Sequence, residues 1–300
     1  MSFFKKPSAF SVFYGVILAV ATVFVLLDTF VIPKPIHPVT AQTVREIEPV
    51  FAATSSDAKI TTNFYSDDKI QIKIETQRKY DTTIYVADIQ IADIGYLKTA
   101  FANDVFGRNI TDTTSNIAAD NQAILAINGD YCGFRNEGYV IRNGILYRDI
   151  KRKSEDEALV IDSDGNMYIV NEQDISAEKL VEKGAWQVFS FGPALIRDGK
   201  ITVSESSEVR KSMSSNPRTA IGQITPLHYI FIVSDGRTSE NAGLSLIELA
   251  QEFYDLGCTQ AYNLDGGGSS TLWFNGQIIN QPANGHQSER RISDIVYIGY

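Results

Sequence analysis

Apolar and polar residues alternate over residues 69–75, with Ile70, Ile72 and Ile74 on one side. The same period of two runs through 83–91 by way of Ile84, Val86 and Ile89, with one slip. A period of two puts successive side chains on opposite faces of an extended chain, so both segments are predicted as half-buried strands. Short apolar runs at 123–127, 228–233, 260–264 and 292–298 read as further strands. Between such runs lie Asn143-Gly144, Asp164-Gly165, Asp198-Gly199 and Asn275-Gly276, dipeptides that accept the positive φ angles of a two-residue hairpin turn.

One helix is written with both of its ends. Ser245 and Glu248 form a capping box, Leu246, Leu249, Ala250 and Phe253 recur at helical spacing, and Gly257 supplies the stop. Lying between runs 228–233 and 260–264, this helix predicts a strand–helix–strand crossover. Strands outnumber helices, which predicts an α+β fold: a single domain with a large mixed β-sheet and few helices.

The N-terminus follows another pattern. No charged residue interrupts positions 7–27, which are rich in Val, Phe, Leu and Ala, and the run lies between Lys5-Lys6 and Asp28. At about 1.5 Å per residue it is long enough to cross a hydrocarbon core of about 30 Å. The expected organisation is therefore a cytoplasmic N-terminus and signal-anchor transmembrane helix (1–32), an extracellular stalk rich in proline and polar residues (33–58, including His37) and a folded domain (59–300). The lysines preceding the run place the body outside the cell, as a single-pass membrane protein. A cleaved signal peptide, cut after Ala41 with Val39 two positions earlier, is the alternative. The apolar stretch exceeds the usual length for that reading.

Composition narrows the function classes. The 300 residues carry 27 Lys and Arg against 36 Asp and Glu, a net charge of −9. This field argues against a general nucleic-acid partner and requires any anionic ligand to be held by a local arginine cluster. Two cysteines and three histidines leave no zinc-finger spacing and no His-x-x-x-His pair. Of the histidines, His228 heads a strand and is expected to be structural, and His286 falls in a loop. Cys132 and Cys258, in a chain expected to face an oxidising exterior, are expected to form a disulfide. The stretch 149–157, charged in both signs, reads as a solvated loop.

Polar residues collect where the apolar runs end, the usual place for loops that carry function. Asn128, Gly129, Asp130 and Tyr131 follow the run 123–127. Asn216-Pro217-Arg218 precedes a further apolar strand, Asp235-Gly236-Arg237 closes 228–233, and residues 286–291, with Glu289 and Arg290, precede the last strand. Asn263, Leu264, Asp265, Gly266, Gly267, Gly268, Ser269 and Ser270 form the most distinctive segment. Three consecutive glycines let the backbone approach a ligand and turn N–H groups toward an anion, and an aspartate stands just before them. The segment lacks the lysine of a Walker loop and the spacing of a dinucleotide fingerprint.

Taken in order, Asn128-Gly129-Asp130, Phe191-Gly192-Pro193, the segment 218–222, Asp235-Gly236-Arg237, the helix start at 243–249, the segment 263–270 and Glu289-Arg290 resemble the phosphodiester glycosidase family, over about residues 60–300. The resemblance implies hydrolysis of the sugar C1–O bond of glycosyl-1-phosphodiesters in envelope or exopolysaccharide glycans. It implies Asp265 as the working carboxylate, with Asp130 and Asp235 as alternates, and Arg218, Arg237 and Arg290 as phosphate clamps. Asn128, Asn263, Gly266–Ser269 and Glu289 complete the substrate site. No cofactor is required in this reading, though a divalent cation remains possible. Family members often read Asn-Gly-Gly-Phe-Phe where this chain has Asn128-Gly129-Asp130-Tyr131-Cys132, and the added carboxylate points to a different substrate or a bound cation. Two alternatives stay open: a metal-dependent phosphodiesterase with Asp130, Asp235 and Asp265 as oxygen ligands, and a non-catalytic module that binds anionic glycan.

Overall fold

The computed structural model describes residues 7–39, 58–153, 157–204, 215–283 and 288–300. Lys5 and Lys6, most of the expected stalk (40–57), the middle of the charged loop (154–156) and His286 lie outside the described residues.

A nine-stranded sheet runs in the order β15 (Lys200–Ile201), β14 (Ala194–Arg197), β18 (Gln260–Asn263), β16 (Arg218–Thr225), β17 (His228–Ser234), β5 (Thr82–Ile91), β4 (Ile70–Lys79), β3 (Phe64–Ser66) and β2 (Lys59–Ile60). One five-stranded sheet is ordered β20 (Gln277–Ile278), β19 (Leu272–Phe274), β8 (Leu125–Asn128), β21 (Asp294–Ile298) and β6 (Leu97–Phe101). The other is ordered β10 (Ile145–Arg148), β9 (Val140–Arg142), β13 (Ala185–Phe189), β11 (Glu157–Asp162) and β12 (Met167–Asn171). The helices are α1 (Pro7–Phe30), α2 (Thr114–Asp120), α3 (Ala177–Glu182) and α4 (Leu246–Asp255). The α+β class with few helices holds.

The slip in the second alternating run has a structural cause, because β5 is buried on both faces. Tyr85, Ala87, Ile89 and Ile91 join Ile70, Ile72 and Ile74 of β4 and Phe231 and Val233 of β17 in the main core, against Leu125 and Ile127 of β8 and Leu159 of β11. Ile84 and Val86 point the other way, into a cluster with Leu246, Leu249, Ala250 and Phe253 of α4. The capping box is present, with Ser245 Oγ accepting from Glu248 N. All four predicted hairpins form, and a fifth turns at Tyr80-Asp81 with φ of 52° at both positions.

The crossover is real, but it corrects the expectation of mixed pairing. Strands β17 and β18 both pair antiparallel with β16, so they run in the same direction with β16 between them, and every described ladder is antiparallel. The helix deposits its second strand one position beyond the neighbour.

The apolar N-terminal helix has mean hydropathy 2.5 over Phe10–Phe30 and none of that window is buried. By length and composition it can cross a membrane, a test that signal sequences also pass. The segment after it does not hang free. Strand β1 (Lys34–Pro35) pairs with β7 (Gly107–Arg108), Ile36 N donates to Phe106 O, and Val39 N donates to Leu146 O. The Asn109 amide donates to Thr29 O and Ile32 O at the helix end. Gly107 makes this docking possible, since a Cβ there would lie 2.3 Å from Lys34 O. The first part of the expected stalk is thus a strap on the body.

The expected Cys132–Cys258 bridge is not formed. Both thiols are free and buried, Cys132 beside Phe101, Phe106 and Val140, and Cys258 in the separate cluster beneath α4. Burial pushes both thiols above the ordinary range, that of Cys258 to about 12, so neither is a reactive thiolate.

Candidate active site

Antiparallel pairing brings the ends of β17 and β18 beside the start of β16, where Arg218 pairs with Ser234 and Ala220 with Asn263. In the neighbouring sheet the end of β8 meets the start of β21, with Asn128 opposite Ile295. The two sheets join at these ends. Asn128, fully buried, accepts from Thr219 Oγ1 at 2.8 Å and donates to Asp265 O at 2.6 Å, while Asp265 N donates to Gly129 O. The first and fourth predicted loops are thereby stitched together, with Asn128 as the tie.

Asp265 sits at this seam, 9% exposed. Burial lifts its carboxyl above the ordinary aspartate range, against the pull of Ser269 Oγ, which donates at 2.6 Å, and of the Arg290 and Arg135 charges. The glycine loop wraps behind it. Gly267, at φ +64°, donates its N–H to Pro217 O, and a Cβ there would meet the Arg237 guanidinium at 3.0 Å. A Cβ on Gly266 would meet Pro217 O at 2.7 Å. These glycines therefore serve close approach, and the N–H of Gly267 is spent on the Pro217 carbonyl just before β16. Arg290 donates its backbone N–H to Gly268 O and its side chain to Gly266 O. Exposed Arg237 is held by Asn216 Oδ1 at 3.0 and 3.1 Å. Asn263 donates to Gly192 O, and its Oδ1 is buried with no hydrogen-bond partner among the described residues.

Other predicted residues lie elsewhere or do other work. Arg218 is 6% exposed and its Nε donates to Leu244 O, bracing the segment before α4. Glu289 accepts from the backbone and hydroxyl of Ser115 and so caps the first turn of α2. Asp235 faces a separate cavity of about 690 Å³ lined also by Arg78, Thr83 and Asn241. It accepts from Tyr85 Oη and Gln281 N, and burial raises it as well. Asn280 ties Asp235 to the glycine loop by donating to Ser270 O.

Asp130 is locked in a buried ion network. Arg142 Nη2 lies 2.8 Å from Asp130 Oδ1 and 2.9 Å from Asp294 Oδ2, all three side chains being at most 2% exposed, and Ser190 N donates to Asp130 Oδ2. Burial opposes ionisation of both carboxyls. Arg142 and Ser190 nevertheless hold Asp130 below its ordinary value, while Asp294 stays above its own. Asp130, Cys132 and Asp294 are close enough to hold a cation, but the guanidinium already bridges the two carboxylates. Among the described residues, Asp130, Asp235 and Asp265 do not come within ligating reach of one another; the group that does is Asp130, Cys132 and Asp294.

Sequence reasoning missed Arg142, Asp294 and Arg135. Arg142 stands just before the Asn143-Gly144 turn and Asp294 just after the Glu289-Arg290 loop, so their only local signal is a charge inside an otherwise apolar strand.

A model of phosphodiester glycosidase domains matches residues 121–299. The chain belongs to the phosphodiester glycosidase family. It is 32% identical over 201 residues to the SPbeta prophage-derived uncharacterized protein YomE of Bacillus subtilis, covering 65% of this chain and 31% of that protein. It is 32% identical over 121 residues to the bovine N-acetylglucosamine-1-phosphodiester alpha-N-acetylglucosaminidase, covering 35% of this chain and 23% of that enzyme. The chain thus spans less than a third of the length of either curated relative. Among solved structures, the catalytic domain of the zebrafish N-acetylglucosamine-1-phosphodiester alpha-N-acetylglucosaminidase, described as auto-inhibited by its pro-peptide, superposes with a TM-score of 0.62 at 21% identity. That match covers 89% of this chain and 96% of the zebrafish one, a likeness of fold. A hypothetical protein from Synechocystis superposes at 0.54 with 17% identity, over 77% of this chain and 62% of that one.

Proposed function

We propose that this phosphodiester glycosidase family member is a hydrolase that cleaves the sugar C1–O bond of glycosyl-1-phosphodiesters in an extracellular glycan, working beside the membrane that anchors it. The observation that carries the reading is Asp265, a buried carboxylate at the seam of two sheets with the Arg290 and Arg135 charges beside it. A sugar phosphodiester has a good leaving group, so the reaction needs little general-acid help and depends on stabilising positive charge at C1 and negative charge on the departing phosphate. In this reading Asp265 serves the first, as nucleophile, base or electrostatic partner, with Ser269 fixing its rotamer. Arg290 and Arg237, which close over the glycine loop, serve the second, because guanidinium forks pair with phosphate oxygens. Arg218 positions the Asn216 segment that holds Arg237.

No metal is needed for these steps. A metal-dependent phosphodiesterase would have to displace Arg142 from Asp130 and Asp294 or bring together three carboxylates that have other partners. Membrane retention is favoured by the strap, because a cut after Ala41 would remove residues 34–39 from their pairing with residues 106–108 and 146.

A panel of sugar-1-phosphodiesters set against neutral glycosides of the same sugars tests the function. Turnover of the phosphodiesters, undiminished after exhaustive chelation, is expected. Preference for the neutral glycosides, or loss of activity on chelation that added cation restores, would sink the reading.

A further inference from the structure

Beside Asp265 lies a group of side chains that the proposed hydrolysis does not use. Tyr131 and Phe134 stack with ring centroids 4.5 Å apart and planes 15° from parallel. The Arg135 guanidinium lies 4.7 Å from the Phe191 ring centroid and 5.8 Å from that of Tyr131. Phe134 is 41% exposed, and Tyr131, Arg135 and Phe191 are half-buried. The core does not account for two large aromatic rings and a cation left at the surface together.

Three further features point to a ligand. Tyr131 is held at φ 71°, ψ 20°, a left-handed conformation that bulky residues rarely adopt and that concentrates at functional sites. The loop is fixed in that shape from below, where Arg148 Nη1 donates to Cys132 O and Arg135 O, and Arg148 Nε to Gly138 O. Arg135 also differs from its cationic neighbours. Arg152 is paired with Glu172, and Arg142 with Asp130 and Asp294, whereas Arg135 makes no ion pair among the described residues and bonds only Ser190 O through Nη1. Ser190 in turn donates to Asp130, and the Arg135 charge reaches Asp265, so this surface borders the candidate active site.

Resting on the glycosyl-phosphodiester reading, we propose that Tyr131, Phe134, Arg135 and Phe191 form a second glycan subsite, which takes the next phosphorylated pyranose unit of an anionic polymer. The apolar C–H face of a pyranose lies on the exposed face of the Tyr131–Phe134 stack, as sugars do on aromatic rings. The unit's phosphate meets the free edge of the Arg135 guanidinium, which has donors to spare after Ser190 and is stiffened by Phe191. The substrate class is then a poly(glycosyl phosphate) chain, which occupies Asp265 and the shelf together, in preference to an isolated sugar phosphodiester. Within this arrangement Asp130 anchors Ser190 and the loop, and Tyr131 supplies half of the stack.

Calorimetric titration of the full chain carrying Asp265→Asn, in detergent, with a (1→6)-linked trimer of N-acetylglucosamine 1-phosphate measures the subsite without turnover. Adding Arg135→Gln is expected to weaken trimer binding at least tenfold and to flatten its salt dependence. Phe134→Ala is expected to weaken it severalfold at every salt concentration. Arg135→Lys, which keeps charge but loses the fork, is expected to fall between parent and Arg135→Gln, and it carries the test with Phe134→Ala if Arg135→Gln does not fold. Trimer binding unchanged in Arg135→Gln and Phe134→Ala overturns the proposal. The two readings fail separately. A trimer that binds in an Arg135-dependent way but is never cleaved by the wild-type chain retains the subsite and removes the hydrolase. A trimer that is cleaved, with binding indifferent to Arg135, does the reverse.

Discussion

At the scale of single residues, Asp130 and Asp265, both buried beside the seam, are treated in opposite ways. Asp130 meets a full guanidinium and a backbone N–H, so its charge is neutralised where it sits. Asp265 has no ion-pair partner among the described residues; burial raises it, and the Ser269 hydroxyl, the Arg290 and Arg135 charges and the Gly266 N–H offset that only in part. Its folded-state value lies above its unfolded one, so the folded protein holds that proton more tightly. Stability therefore falls as pH rises from the ordinary aspartate value through the folded one, and the cost persists at higher pH. Asp265→Asn removes this titration. The variant is expected to unfold at a higher temperature than wild type at about pH 7 and at the same temperature near pH 3, below the ordinary aspartate range, while turnover falls at least about a hundredfold. In the wild type the acid limb of kcat/KM should lie above the ordinary aspartate range, and Ser269→Ala should move it further up. A limb that ignores Ser269 would remove Asp265 from the titrating role. Arg142→Leu tests the other aspartate. It leaves Asp130 and Asp294 buried without their cation, so a loss of about 3 to 5 kcal/mol is expected by denaturant unfolding at neutral pH.

At the scale of elements, the legible parts of the chain were those whose signals are local. The strand β4, the capped helix α4 and four Asn-Gly or Asp-Gly hairpins each advertise themselves within one short stretch of chain, and each is present. The turn at Tyr80-Asp81 escaped because it adopts left-handed angles without glycine. Of the candidate site, the glycine loop and Asn128 were readable as strand-end polar clusters. Arg142, Asp294 and Arg135 were not, since their meaning comes from partners such as Asp130, 12 residues from Arg142, and Asp294, 152 residues away. The cysteine pairing failed for the same reason. Proximity to loops along the chain does not say which side of a sheet a thiol faces. The strap shows the reverse case, in which a proline-rich segment that reads as linker gains its conformation from the body. Gly107 is its weakest point. Gly107→Val places a side chain against Lys34 O, so the strap should detach while the body stays folded. Limited proteolysis is expected to cut the variant within residues 33–39 at a protease concentration that leaves the wild type whole; equal resistance would mean that the strap tolerates the change by shifting.

At the scale of the whole molecule, antiparallel pairing gathers the polar ends of β8, β16, β17, β18 and β21 at one seam, and the strap ties that body to an apolar helix. The proposed hydrolysis predicts which bond breaks. If Asp265 acts at the anomeric carbon while Arg290 and Arg237 hold the departing phosphate, water adds to the sugar. Hydrolysis of a glycosyl-1-phosphodiester in oxygen-18 water is then expected to put the label on the C1 hydroxyl and to leave the phosphate unlabelled. A phosphodiesterase, whose water attacks phosphorus, labels the phosphate instead, so one mass spectrum of the products decides between the two chemistries. Arg237→Lys sharpens the result, because it keeps the charge but loses the fork held by Asn216. It should lower turnover of the phosphodiester without moving the label. Label appearing in the phosphate would assign the bond cleavage to phosphorus chemistry and make Asp265 a structural carboxylate of the glycine loop.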